Sequence, residues 1–224
     1  MMMNLFSIFD PMTSLSSSMN WISSYYIILF MPNMYWLIPS RWLMMYMLLL
    51  KMLTMEFKIL LNKNMNKMNL LIYISLFLMV MLNNFMGLFP YIFTSSSHLI
   101  MSMTFSLILW ISFMLFGWIK NMNYMFIHLV PQGTPAILMP FMVLIESISN
   151  IIRPGTLSVR LSANIIAGHL LMTLISSTGN NLSFFFLLLM LLIQSLLIIL
   201  EISVSIIQAY VISILSTLYS TETN

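Results

Sequence analysis

The sequence contains no cysteine, and this absence excludes disulfide frameworks, thiolate metal sites and cysteine nucleophiles. Histidine is nearly as scarce. His98, His128 and His169 lie on different segments, so they do not supply the pairs that a buried bis-histidine haem requires. The sequence also has no Gly-rich phosphate loop, no HExxH motif and no convincing Ser-His-Asp set. It therefore predicts no cofactor, no metal site and no catalytic residues.

Charge is the second deficit of this sequence. Charged residues make up 6% and hydrophobic residues 61% of the 224 residues, whereas a soluble domain carries about 25% charged residues. The mean hydropathy is +1.01, which predicts an integral membrane protein in contact with the lipid bilayer. The net charge of +3 does not by itself indicate a nucleic-acid partner. Residues 1–14 lack a basic n-region, so no import signal is expected.

Long apolar runs predict an all-α integral membrane fold with about five membrane helices, because a hydrocarbon core of ~30 Å needs about 20 apolar helical residues. The runs cover approximately residues 13–31, 69–89, 98–119, 136–178 and 182–219. The first is rich in serine, and the second ends at Pro90, where a helix must stop or kink. We expect a single membrane domain over 1–224, with an N-terminal span within 1–31 and a helical hairpin over 69–119.

The last two runs are too long for a perpendicular crossing. As single helices they would extend roughly 64 Å and 57 Å, about twice the hydrocarbon thickness. Each is therefore either two short helices or one helix tilted by about 60° from the membrane normal. No turn cluster interrupts 182–219, which favours tilt, and the linker "SSTGNN" indicates a turn. A long, steeply tilted hairpin is thus predicted over 136–219.

Basic residues are concentrated between the first and second runs, in residues 40–67. Arg41, Lys51, Lys58, Lys63 and Lys67 occur there with Glu56 among many apolar residues. This pattern favours an amphipathic helix on the membrane surface, with a solvated loop as the alternative. The connections at 90–97 and 178–183 contain no Lys or Arg. The positive-inside rule then places the N-terminus outside and the C-terminus on the cytoplasm-equivalent side.

Ionisable residues interrupt the last two runs, where charges are costly and usually functional. They are Glu146, Arg153, Arg160 and His169 on the fourth run and Glu201 on the fifth. Arginine does not lose its proton in a protein, so Arg160 is expected to hold a nearby carboxylate ionised and to block cations. Glu146, His169 and Glu201 can exchange protons. Structural alternatives remain for Arg153, which can snorkel beside its Pro-Gly, and for a Glu146–Arg153 ion pair.

Helical periodicity divides these residues between faces. At 100° per residue, Asn164 lies about 40° from Arg160 on the same face, whereas His169 lies about 180° away. On the fifth run, Glu201 and Gln208 are seven residues apart and share a face. The pattern predicts two chemically different faces on the fourth run, one with a fixed cation and one with a titratable group.

Four stretches of the sequence carry a resemblance to a known family. "LSVRLSANIIAGHLL" (157–171), "LEISVSIIQAYVISIL" (200–215), "NNFMGLFPYIFTSSSHL" and "MNLFSIFDP" resemble subunit a of the F-type ATP synthase, in its mitochondrially encoded form, also called F0 subunit 6. The resemblance covers essentially the whole chain. It implies a surface helix, a helical hairpin and two long tilted helices in the mitochondrial inner membrane. The N-terminus would face the intermembrane space and the C-terminus the matrix.

The resemblance also implies roles for single residues. Arg160 matches the arginine that faces the rotating ring of c subunits and separates two aqueous half-channels. Asn164 and Gln208 match polar residues beside that arginine, and His169 and Glu201 match a pair that handles protons. Glu146 matches an acidic residue of a half-channel.

The predicted function is that of a proton-translocating stator subunit, itself non-catalytic, in ATP synthase. Its implied partners are the c-ring, subunit b of the peripheral stalk and other F0 subunits, with dimerisation of the complex as a further possibility. Two alternatives remain open at this point: a membrane subunit of another proton-pumping complex, and an assembly subunit that conducts no protons.

Overall fold

A computed structural model describes most of the chain. The described residues are 5–14, 16–25, 29, 31–61, 67–89, 91–130, 135, 137–179 and 183–223. Within these ranges the chain forms six α-helices: α1 Arg41–Leu60, α2 Lys67–Gly87, α3 Leu99–Lys120, α4 Met122–Leu129, α5 Met139–Thr178 and α6 Phe184–Glu222. Short 3-10 helices occur at Leu5–Phe9, Met19–Tyr25 and Ser95–Ser97.

Four helices are long and apolar enough to cross a membrane in the part of the chain that the structure describes. They are Asn69–Gly87, Leu99–Lys120, Met139–Thr178 and Phe184–Glu222. The predicted all-α membrane fold is therefore confirmed. Each helix also begins and ends within a few residues of its predicted run, because the hydropathy that marks a membrane helix is a local property of the sequence.

The prediction of a first membrane helix over 13–31 needs a correction. The described residues of this run do not form a continuous α-helix. Ser14 and Ser17 form an isolated antiparallel bridge, and Met19–Tyr25 is a 3-10 helix. Serine hydroxyls compete with the helix for backbone partners, as Ser24 Oγ does by donating to the Trp21 carbonyl at 2.8 Å. Residues 15, 26–28 and 30 of this run lie outside the described residues.

The two long helices are each continuous, so the choice of one helix over two short ones is confirmed. Helix α5 has 40 residues and α6 has 39, which corresponds to roughly 60 Å each. Helix α5 begins with Pro140 in its first turn, a favourable position, and continues through Pro154. The two helices are antiparallel, since Gly168 meets Glu201 near one end and Arg153 meets Glu222 near the other. Their tilt in the bilayer stays a prediction, and residues 180–182 of the turn lie outside the described residues.

The membrane helices pack in pairs, α2 mainly against α6 and α3 mainly against α5. The core of this bundle consists of Phe77, Val80, Leu157, Leu161, Ala209 and Ile212. Small hydroxyl residues are also buried there, and Ser213 and Thr217 of α6 are fully inaccessible. Their hydroxyls donate to carbonyls of their own helix at 2.8 Å and 2.7 Å, which lets neighbouring helices approach closely without an unpaired polar group.

The basic segment between the first two runs forms helix α1, which contradicts the alternative of a solvated loop. Ser40 caps its N-terminus by accepting a hydrogen bond from Leu43 N at 3.4 Å. Phe57 and Leu61 are buried against Tyr73 of α2. The charged side chains of α1, Arg41, Lys51, Glu56 and Lys58, are exposed. The helix ends earlier than predicted, Lys63 lies outside the described residues, and Lys67 begins α2.

Candidate functional site

Five of the six predicted site residues of α5 and α6 line two adjacent cavities between these helices: Arg160, Asn164, His169, Glu201 and Gln208. The first has a volume of about 240 Å³ and is lined by His169, Glu201, Ser205 and Asn84, among others. The second has a volume of about 280 Å³, and Arg160 lies on its wall. Arg160 and His169 therefore belong to different cavities, as their separation by nine helical residues predicts.

Asn164 and Gln208 lie at the boundary, because both side chains line both cavities. Asn164 comes from α5 and Gln208 from α6, so the boundary depends on how the two helices pack. Gln208 is 5% exposed, and neither its Oε1 nor its Nε2 has a hydrogen-bond partner in the described chain. An amide can donate and accept hydrogen bonds but carries no charge. The boundary between the cavities is thus uncharged, and it consists of these two amides and the apolar side chain of Val204.

The guanidinium of Arg160 is not neutralised within the described part of the chain. Its side chain is exposed on α5, and the ion pairs that the described residues form involve Arg153 and not Arg160. The neighbours that share its cavity are mostly apolar and include Leu157, Ile207 and Val211. A permanent cation on an apolar membrane surface is costly unless an anion approaches it. Arg160 therefore carries an exposed charge that no acidic side chain of the described residues balances.

Titratable groups face the other cavity. The Nε2 atom of His169 and the Oε1 atom of Glu201 are buried and without a hydrogen-bond partner among the described residues. Buried polar atoms are normally hydrogen-bonded to protein or ordered water, and this largely apolar cavity has room for water beside its few polar groups. The ring of Phe9, near the N-terminus, packs edge-on against the His169 imidazole at 6.3 Å between centroids. His169 and Glu201 therefore each have an unpartnered polar atom at this cavity, and the Phe9 ring packs against the imidazole.

Gly168 makes the approach of Glu201 possible. A Cβ atom added at Gly168 would lie 2.5 Å from Glu201 Oε1 and 2.8 Å from its carboxyl carbon. The carboxylate thus lies directly on the backbone of α5, one residue before His169. Sequence reasoning missed Gly168 as a site residue. The sequence does place a glycine inside an apolar helix, where it costs about 1 kcal/mol of helix stability relative to alanine. A glycine at such a position indicates that another group packs closely against the helix backbone.

Glu146, the sixth predicted site residue, lies away from both cavities, near the other end of the hairpin. Its Oε1 is 3.9 Å from Arg153 Nη2, and Arg153 Nη1 is 3.0 Å from Glu222 Oε2. The guanidinium carbon also lies 5.7 Å from the centre of the Tyr219 ring. Arg153 therefore joins acids from α5 and α6. Glu222 was missed by sequence reasoning because only the antiparallel packing brings the end of α6 to Arg153.

Comparison with known proteins identifies the family. A sequence model of the family "ATP synthase A chain" matches residues 2–221. The chain belongs to this family. Among curated relatives named ATP synthase subunit a, the protein of Locusta migratoria is 58% identical over 223 residues, 99% of both chains. That of Drosophila melanogaster is 55% identical over 224 residues, and that of Aedes aegypti 55% over 226 residues, with each chain covered completely.

Membership of the ATP synthase A chain family makes this protein a membrane component of the F0 sector of ATP synthase. It confirms the resemblance that the sequence motifs carry, and it decides against a subunit of a different proton-pumping complex. The match extends over both long helices, so every residue of the two cavities described above lies inside the family region.

Proposed function

We propose that this chain is the proton-translocating stator subunit of F0, with two aqueous half-channels that open toward a rotating c-ring. The observation that carries the proposal is the division of the α5–α6 interface at Asn164 and Gln208. One side holds the titratable pair His169 and Glu201, and the other holds the unneutralised Arg160. Protons can reach Asn164 and Gln208 from the cavity of His169 and Glu201. The permanently charged Arg160 in the other cavity stops them from going further.

In the proposed cycle, Glu201 and His169 pass a proton to a carboxylate of the c-ring, which then moves into lipid as a neutral group. Arg160 keeps each returning ring carboxylate ionised, because the guanidinium stabilises the charged form. It also prevents protons from crossing directly between the half-channels. Glu146 belongs to the second half-channel, through which the ring carboxylate releases its proton. The membrane potential supplies about 2.3 kcal/mol per charge per 100 mV.

We propose the membrane, the orientation and the partners of this chain from its family membership. The chain would lie in the mitochondrial inner membrane, with its N-terminus toward the intermembrane space and its C-terminus toward the matrix. Its partners would be the c-ring, subunit b of the peripheral stalk and the other F0 subunits, and complexes can associate into dimers. ATP formation itself belongs to other subunits, so this chain is a non-catalytic component.

Replacement of the arginine tests the proposal. In membranes that contain the assembled complex, Arg160→Ala is expected to abolish both ATP synthesis and ATP-driven proton pumping and to permit a passive proton leak. Arg41→Ala, which removes an exposed basic side chain of α1, is the control and should retain both activities. An assembly subunit that conducts no protons would tolerate the Arg160 change. Normal coupled synthesis in Arg160→Ala would therefore refute the proposed function.

A further inference from the structure

Phe9, near the N-terminus, contacts the histidine of the candidate site. It ends the 3-10 helix Leu5–Phe9, and its ring meets the His169 imidazole edge-on, with 6.3 Å between the centroids and 85° between the ring planes. Aromatic pairs favour such a geometry at roughly 4.5–7 Å. Phe6 and Ile8 of the same helix are exposed, whereas Phe9 is half-buried. Of these three side chains Phe9 is the best shielded, and the shielding comes in part from α5.

The chain that precedes α1 is also fixed further along, by contacts with the connection between α2 and α3. Ser23 Oγ donates to the Phe93 carbonyl at 2.9 Å, and the Trp21 ring lies 5.5 Å from the Phe93 ring. Asn20 Nδ2 in turn donates to the carbonyl of Asp10 at 3.1 Å. Asp10 directly follows the aromatic residue that meets the imidazole, so the position of that residue does not depend on its own ring contact alone.

The imidazole of His169 has a second contact, at the end of α2. The backbone of Gly87 hydrogen-bonds to the ring, and because Nε2 has no partner among the described residues, this bond is made at Nδ1. The bond at one ring nitrogen decides which nitrogen is left to exchange a proton. One hydrogen bond still allows the ring to tilt about the bonded atom. The contact with Phe9 restricts that tilt, so the two contacts together fix where Nε2 points.

The Phe9 ring lies outside the cavity of His169 and Glu201. Both titratable residues belong to the wall of that cavity, whereas Phe9 does not. A phenyl ring also has no proton to exchange and no hydrogen-bonding group with which to hold water. Phe9 can therefore act on proton exchange through the imidazole, which touches both the phenyl ring and the cavity.

We propose that Phe9 is a positioning residue, which holds the imidazole of His169 in the orientation that presents Nε2 to the cavity shared with Glu201. The proposal rests on the proposed function and adds to it a residue from the N-terminal part of the chain. Loss of one edge-to-face pair lowers the population of the held orientation by about two- to tenfold. Proton exchange at Nε2 then slows by the same factor, although no group that carries the proton has been removed.

Replacement of Phe9 tests the proposal in membrane vesicles that contain the assembled complex. In Phe9→Ala we expect proton flux per assembled complex to fall about two- to tenfold, whereas Phe9→Tyr keeps the ring and should retain most of the flux. Phe6→Ala is the matched control, because Phe6 is an exposed aromatic residue of the same 3-10 helix. Equal flux in Phe9→Ala and Phe6→Ala would overturn the role. If Phe9→Ala does not assemble, Phe9→Leu, which has an apolar side chain without a ring, replaces it with the same expected order.

A double-mutant cycle separates positioning of the imidazole from general packing. An effect that passes through His169 disappears when the imidazole is absent, whereas independent effects add. We therefore expect Phe9→Ala to cause little further loss of flux in a His169→Gln complex. The same fold loss from Phe9→Ala with and without the imidazole would show a role in packing alone and would overturn the proposal.

Chemical modification measures the same contact without any proton flux, so it also decides the case in which His169→Gln conducts too little to compare. Diethyl pyrocarbonate acylates imidazoles, and the chain has only three histidines, each of which mass spectrometry can follow. We expect His169 to react severalfold faster in Phe9→Ala than in Phe6→Ala, with the exposed His128 as the internal reference. Equal rates at His169 in the two variants would refute the contact in the assembled complex.

The Arg160→Ala experiment distinguishes failure of this role from failure of the proposed function. Loss of coupled synthesis in Arg160→Ala, together with normal flux in Phe9→Ala, would remove Phe9 and leave the stator function intact. Normal coupled synthesis in Arg160→Ala would refute the proposed function and with it the role of Phe9. Loss in Arg160→Ala, a fall in flux in Phe9→Ala that vanishes without the imidazole, and faster acylation of His169 are the combined result that we expect.

Discussion

The backbone of Gly168 lies against the carboxylate of Glu201 so closely that even a methyl group would overlap it, at 2.5 Å from Oε1. This contact joins α5 to α6 beside the boundary residues Asn164 and Gln208. The position of the Glu201 carboxylate therefore depends on a residue that has no side chain, Gly168, which directly precedes His169.

Gly168→Ala is expected to displace the Glu201 carboxylate and to reduce proton flux by about 10- to 100-fold, the range that a shift of about 1 Å produces at a reacting group. Gly155→Ala on the same helix is the control, because an added Cβ there meets nothing within 4 Å. Flux measured in membrane vesicles should be normal in the control. The double variant Gly168→Ala with Glu201→Asp shortens the carboxylate side chain and should recover part of the flux. Full flux in Gly168→Ala alone would contradict the steric argument.

Glu201→Gln keeps the size of the side chain but removes its ability to exchange a proton. We expect the complex to assemble in normal amount and proton flux to be slower than in the unsubstituted complex. The measurement is flux across a range of pH, normalised to the amount of assembled complex. Unchanged flux at every pH would remove Glu201 from the proposed path. Glu56→Gln, at an exposed position of α1, serves as the control for loss of an acidic side chain.

Arg153 stabilises the hairpin because it joins Glu146 to Glu222. All three side chains are partly exposed, so each ion pair contributes on the order of 0.2–1 kcal/mol. Glu222→Gln should lower the free energy of unfolding slightly. Arg153→Ala should lower it more, since it leaves two acids without their cation. Thermal denaturation of the solubilised complex measures this order. An Arg153→Ala complex as stable as the unsubstituted one would contradict it.

Among the described residues, a hydrogen bond joins helix α1 to α6: Tyr210 Oη donates to Glu56 Oε2 at 3.2 Å. Tyr210→Phe removes this hydrogen bond and keeps the ring. Because the contact is exposed, we expect a loss of no more than about 1 kcal/mol in the free energy of unfolding, with proton flux preserved. Abolished flux in a fully assembled Tyr210→Phe complex would instead place Tyr210 in the proton path.

Several site properties were predictable because they are local. The assignment of Arg160 and His169 to different faces follows from the 100° repeat of the helix, and the two residues line different cavities. Asn164, which the same repeat places near Arg160, lines both cavities. The Glu146–Arg153 ion pair was foreseen as an alternative because the two residues are seven apart on one helix. The described residues of the predicted span over 13–31 do not form a continuous α-helix, because serine hydroxyls compete with the helix for backbone partners.

The sequence by itself determined that this is an all-helical membrane protein with about five apolar runs, two of them about 60 Å long. It also determined that Arg160 and His169 lie on different faces of one helix. Hydropathy and helical periodicity are local properties, so they can be read along one chain. Only the tertiary structure decided that Asn84 of α2 reaches the cavity of His169 and Glu201, that Gly168 contacts Glu201 and that Arg153 reaches Glu222. These contacts depend on the relative rotation and register of separate helices, which arise from packing across interfaces and follow no periodic pattern within a single helix.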